Sequence, residues 1–161
     1  MISFRSILVP TDFGESAAHA IEAAIDMATR YQGEVTLFHA WELPPYVYAS
    51  LEMGGMGLES SVEEDARESL MELLRHVRSR IPIATATLKS GSAWRAILSM
   101  IEEDKPDLVI MGTHGRRGFG RALLGSVAEM VVRVAPCPVL VVREGARSSF
   151  RDDVQAVHRR A

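Results

Sequence analysis

Apolar residues along this chain fall into two rhythms. SILVP at Ser6–Pro10, VTLFHA at residues 35–40, DLVIM at 107–111 and PVLVVR at 138–143 are short apolar runs with the length and β-branched content of buried strands. IATATL at 83–88 alternates as a strand does. Between these runs, apolar residues recur at three- and four-residue intervals. Ala17, Ala20, Ile21, Ala24, Ile25 and Ala28 trace one helical stripe, with Glu22, Asp26 and Arg30 opposite and Gly33 as its stop. Ala66, Leu70, Leu73, Leu74, Val77 and Ile81 trace a second, ended by Pro82. Ala93, Ala96, Ile97, Met100 and Ile101 trace a third, and residues 127–135 form a fourth. Capping boxes mark two of the starts: Ser60 and Ser61 with Glu63 and Glu64, and Ser126 with Glu129.

Strands that alternate with helices predict an α/β fold on a parallel sheet, with right-handed crossovers placing helices on both faces. In such sheets ligands bind beyond the C-terminal strand ends, where strand order reverses. Asp12, Ala40 and Gly112 each follow a predicted strand, so all three are expected at one edge. Residues 41–59 carry Pro44-Pro45, two tyrosines and three glycines without a period, and read as a long loop, either a lid or a connector. The tail from residue 145 is polar and reads as frayed or as a short helix.

Composition narrows the function classes. A chain of 161 residues can bury one real core, so a single domain over residues 1–144 with a polar tail at 145–161 is expected. A formal charge of −3 disfavours a nucleic-acid binder built on bulk basicity. The single cysteine, Cys137, allows no internal disulfide and no paired-cysteine zinc motif. The N-terminus has no signal-peptide pattern, and no apolar run approaches a membrane span, so a cytoplasmic location is expected.

The chemistry concentrates in GTHGRRGFGRALLGS at residues 112–126, between a predicted strand and a predicted helix. Glycines let a backbone approach an anion closely, and a helix start offers unpaired N–H groups at the positive end of its dipole. Arg116, Arg117 and Arg121 add guanidinium groups. Such a loop is a recipe for holding phosphate. It lacks the Gly-Lys-Ser/Thr ending of the common P-loop, and it does not follow the first strand as a dinucleotide fingerprint would. Each residue also has a plainer use: Asp12 as a turn residue, Gly112 as a strand end, Ser126 as a helix cap, the arginines as solvated charges. His114 lies inside the loop as an acid–base candidate or an ordinary loop residue. His39 reads as structural, and Cys137 as buried and inert.

The spacing Gly112-x2-Gly115-x9-Gly125-Ser126 resembles the nucleotide signature of the universal stress protein family, in its ATP-binding branch. ILVPTD at residues 7–12, DLVIMGTHGRRG at 107–118 and APCPVLVVR at 135–143 resemble that family's first strand and turn, its fourth strand and loop, and its closing strand. The resemblance implies a Rossmann-like (adenine nucleotide alpha hydrolase-like) five-stranded parallel sheet with helices on both faces. It implies a homodimer paired through Val139–Val142. It implies that Asp12 bonds the ribose hydroxyls beside Pro10 and Thr11, that Ala40 offers backbone groups to adenine, and that Gly112 sits by the ribose. Gly115, Arg116, Gly125, Ser126 and Val127 would wrap the phosphates of ATP, with magnesium riding on them. Three functions stand on these residues: an ATP-binding stress-response module, a slow ATPase or phosphoryl or adenylyl transferase, and a dimerisation scaffold without nucleotide.

Overall fold

Each strand of the sheet sends alternate side chains to opposite faces, and both faces are covered. In the computed structural model, which describes residues 3–43, 58–113 and 124–143, the strands are β1 (Ser6–Pro10), β2 (Glu34–Trp41), β3 (Thr85–Ser90), β4 (Leu108–Gly112) and β5 (Val139–Val142). They form one parallel sheet in the order β3-β2-β1-β4-β5. The helices are α1 (Glu15–Tyr31), α2 (Leu58–Arg78), α3 (Ala93–Asp104) and α4 (Ser126–Val134).

Ile7, Val9, Val35, Leu37, Leu108 and Ile110 face one side of the sheet. There they meet the alanine-rich stripe of α1 and Leu70, Leu74 and Val77 of α2. Leu8, Phe38, Val109 and Met111 face the other side and meet Ala96, Ile97, Met100 and Ile101 of α3 and Ala128 and Val131 of α4. The fold is therefore the expected one, a Rossmann-like sheet between two helical layers. Strand order reverses at β1, which pairs with β2 on one side and β4 on the other. The crevice of the sheet thus opens beyond the ends of β1 and β4.

Several local expectations are corrected. α1 stops at Tyr31, two residues before Gly33, with Gln32 in the left-handed region at φ 54° as its cap. Gly33 serves a close approach instead: a Cβ there would lie 2.7 Å from the Phe4 carbonyl oxygen and 2.9 Å from that of Arg5. α2 begins at Leu58, so Ser60 and Ser61 lie inside it and do not cap it. α2 also ends at Arg78, ahead of Pro82, where the Arg78 Nε–H donates to the Ala84 carbonyl at 2.8 Å. Trp41 closes β2 and Leu43 is buried, so the stretch expected as a loop joins the core at its start; residues 44–57 lie outside the described residues. β3 begins two residues later than its alternation suggests and leaves Ile83 exposed. The tail from residue 145 lies outside the described residues.

Candidate functional site

The C-terminal ends of β1, β2 and β4 and the N-termini of α3 and α4 enclose one cavity of about 370 Å³. That falls within the range of about 300–1,000 Å³ usual for small-molecule sites. Of the ten positions singled out from sequence, eight are described: Pro10, Thr11, Asp12, Ala40, Gly112, Gly125, Ser126 and Val127. All eight line this cavity. Gly115 and Arg116 lie outside the described residues, as do His114, Arg117 and Arg121. The lining also includes His39, Ile97 and Met111, which sequence did not assign to a site.

The β1–α1 turn is tightly held. Thr11 donates its N–H to the Phe38 carbonyl at 2.8 Å. Its Oγ1 accepts the Phe13 N–H at 3.0 Å, and Asp12 Oδ1 accepts the Gly14 N–H at 3.0 Å. These are the local side-chain-to-backbone bonds that Thr and Asp favour in turns. Asp12 is thus a turn residue and also a cavity residue; the two roles coexist. Phe13 takes φ 63°, a left-handed conformation uncommon outside glycine. Its ring lies 4.4 Å from that of His39.

On the far side, β4 ends against α1. Gly112 lets α1 and β4 approach closely, since a Cβ there would lie 2.6 Å from Ser16 Oγ and 2.8 Å from the Ser16 backbone carbon. Ser16 uses that proximity: its Oγ accepts the Thr113 N–H at 3.0 Å. Gly112 therefore does more than end a strand. The chain leaves β4 at Thr113 and is fastened back there by the Gly125 N–H, which donates to the Thr113 carbonyl at 2.7 Å. That bond brings Thr113 and Gly125, twelve positions apart, together.

α4 starts there. Gly125 is its N-cap at φ −63°, ψ 150°, and no side chain caps it. Ser126 is the first helical residue, exposed, so the expected Ser126–Glu129 capping box is not made. Glu129 instead pairs with Arg133 at 2.7 Å. The first intrahelical bond runs from the Glu129 N–H to the Gly125 carbonyl at 2.8 Å. The N–H groups of Ser126, Val127 and Ala128 precede it and have no partner within the helix. α3 begins at the same cavity, with Ala93 in the lining and again no side-chain cap at Ser92. Two helix N-termini with their partial positive charge thus border a cavity whose apolar lining includes Ala17, Phe38, Ile97, Met111 and Ala128. An anion at the helix ends and a flat apolar group against the side chains suit this surface.

The titratable residues in the lining are Asp12 and His39. Among the described residues, no cluster of three or more His, Cys, Asp or Glu is placed to hold a metal ion. Cys137 is half-buried beside the second core, and burial raises its thiol above the ordinary value, which favours the unreactive protonated form. His76 sits on the surface near Glu22, and His19 Nδ1 lies 2.9 Å from the Glu15 carbonyl oxygen. Among the described residues, no helix is long and apolar enough to cross a membrane.

Comparison with known proteins agrees with this architecture. A model of the universal stress protein family matches residues 3–143. A universal stress protein of Methanocaldococcus jannaschii is 32% identical over 142 residues, spanning 88% of this chain and 83% of its own. The solved universal stress protein UspA of Lactobacillus plantarum superposes with a TM-score of 0.74 at 24% identity, covering 88% of this chain and 99% of its own. A universal stress protein of Archaeoglobus fulgidus, solved in complex with dAMP, superposes with a TM-score of 0.62 at 21% identity, covering 88% of this chain and 99% of its own.

Proposed function

The chain belongs to the universal stress protein family, and we propose that it is an ATP-binding member, acting as a dimeric, cytoplasmic, nucleotide-dependent regulatory module. The observation that supports this most is the common cavity. Residues from three strand ends and from a helix start, separated by up to 117 positions, line one space of about 370 Å³.

The chemistry of the lining suits the parts of ATP. Adenine packs among Pro10, Ile97 and Met111 and takes hydrogen bonds from the backbone at Ala40. Asp12 accepts from the ribose hydroxyls beside Thr11 and Gly112. The phosphates lie at the α4 N-terminus, against the N–H groups of Ser126 and Val127, with Gly125 leaving room; the family resemblance adds Gly115 and Arg116 to the residues for the phosphates. Magnesium enters as the ion bound by the phosphates, since the described residues offer no cage of their own. An adenine nucleotide is also held by the Archaeoglobus fulgidus neighbour.

Binding rather than rapid turnover is the function that fits. Phosphoryl transfer needs a group that orients the attacking nucleophile. Among the described lining residues, Asp12 is engaged with ribose on this assignment and the His39 ring is bonded to the Thr11 carbonyl, while His114, the remaining acid–base candidate, lies outside the described residues.

Dimerisation is supported by the edge of the sheet. β5 is a terminal strand, and Leu140 on it is 39% exposed. Val132 and Val134 on the adjoining α4 are 46% and 50% exposed. An uncovered apolar edge invites pairing, and Val139–Val142 of a second copy would cover it. Calorimetric titration of the purified chain with magnesium and ATP tests the nucleotide assignment. Saturable heat, or ATP already carried by the protein, is the expected result; neither heat nor carried nucleotide would refute it.

A further inference from the structure

His39 stands on the opposite face of β2 from Phe38, which fills the second core. It reaches 28 residues back along the chain: its Nδ1 lies 2.7 Å from the Thr11 carbonyl oxygen. A carbonyl only accepts, so Nδ1 carries the proton and donates. The same ring packs on Phe13 at 4.4 Å between centroids, tilted by 44°. His39 therefore grips both neighbours of Asp12, Thr11 by a hydrogen bond and Phe13 by its ring.

We propose that His39 is a positioning residue of the nucleotide site, holding the Thr11 carbonyl and the Phe13 ring so that Asp12 presents its carboxylate to the ribose. The proposal rests on the assignment of Asp12 to the ribose of bound ATP. Phe13 at φ 63° is the reason such a grip is needed. A non-glycine residue in the left-handed region persists only where its surroundings over-determine it. Here they are the Thr11 Oγ1 bond to the Phe13 N–H, the Asp12 Oδ1 bond to the Gly14 N–H, and the His39 contacts. Take the imidazole away and the turn loses its side-chain link to β2, while the backbone bond from the Thr11 N–H to the Phe38 carbonyl stays. A carboxylate displaced by about an ångström loses the geometry of its hydrogen bonds.

The test compares ATP with 2′,3′-dideoxy-ATP, which lacks both hydroxyls that Asp12 would accept. Affinities are measured by calorimetry on the full chain with magnesium. Wild type should favour ATP. His39→Gln, whose donor lies near the position of Nε2, should weaken ATP about tenfold, the scale of one well-made hydrogen bond to a charged group, and leave dideoxy-ATP nearly unchanged. His39→Asn, whose amide nitrogen lies near the position of Nδ1, should keep most of the wild-type preference. Adding His39→Gln to Asp12→Ala should cost nothing further in ATP affinity, because the carboxylate through which His39 acts is gone. Thermal unfolding of each variant confirms that folded protein is compared.

A purely space-filling His39 would weaken both nucleotides equally, with Asn and Gln alike, and that result overturns the proposal. So does a wild-type ATP preference retained by His39→Gln. Wild type that binds neither nucleotide, or binds both equally, overturns the assignment of Asp12 to ribose and the inference with it.

Discussion

Gly112→Ala separates what the site needs for folding from what it needs for ligand. The added Cβ would lie 2.6 Å from Ser16 Oγ, 2.8 Å from the Ser16 carbonyl carbon and 2.9 Å from Ser16 Cβ. The hydroxyl can rotate away, but the backbone carbon cannot, so α1 must move off β4. Forcing a methyl into a packed contact costs about 1–3 kcal/mol. Rotation of Ser16 also removes the acceptor of the Thr113 N–H, although that N–H keeps the Val142 carbonyl at 3.0 Å. A shared bond of this kind adds up to about 1 kcal/mol. The total is about 1–4 kcal/mol of lost stability. For a domain of this size each kcal/mol moves the midpoint by about 2–4 °C, so Tm should fall by roughly 2–16 °C. The assay is urea and thermal unfolding by circular dichroism, on protein freed of nucleotide. The loss must appear without ligand, because it arises from helix against strand. Stability within about 0.5 kcal/mol of wild type would refute the close approach of Ser16 and Gly112.

Two further outcomes follow from the same geometry. Gly125 has φ −63° and ψ 150°, which any residue can adopt. Gly125→Val should therefore fold with near-wild-type Tm yet lose ATP affinity by at least about tenfold, about 1.4 kcal/mol, through bulk at the phosphates; unchanged affinity in calorimetry would place the phosphates elsewhere. Bonds from the Val109 N–H to the Pro138 carbonyl and from the Thr113 N–H to the Val142 carbonyl fix the phase of the β4–β5 ladder. In that phase the Val141 N–H points away from β4, toward the open edge. Val141→Pro thus removes a donor that faces the open edge, and should give monomers in sedimentation; a dimer that persists would contradict pairing through β5.

The sheet was legible because its strands are short, almost wholly apolar runs and its helices carry clean stripes. Every α1 position marked from periodicity is buried. The shared edge was legible too, since in a parallel sheet all strand ends point one way. What sequence could not show is what crosses the chain. Gly112 carries the same letter whether it ends a strand, admits a phosphate or accommodates Ser16, and only the packing of α1 on β4 distinguishes these uses. The pattern Ser-x-x-Glu serves equally for a cap and for the first turn of a helix. At Ser126 the chain arrives through Gly125, which takes the cap position itself, and Glu129 turns to Arg133. His39 reads from sequence as a structural strand end, because its partner Thr11 is brought to it by the pairing of β1 with β2. A histidine near the end of a largely apolar strand was the one available signal.

Every role proposed for these residues requires ATP to occupy the cavity beyond β1 and β4. Amide spectra of the isotopically labelled chain, recorded as ATP and magnesium are added, report that position directly. Saturable shifts are expected at Thr11, Asp12, Ala40, Gly112, Ser126 and Val127, with residues at the opposite end of the sheet such as Arg5, Ile83 and Asp107 left in place. Spectra that do not change in protein free of nucleotide, or shifts gathered on α2 and the far edge, would contradict it.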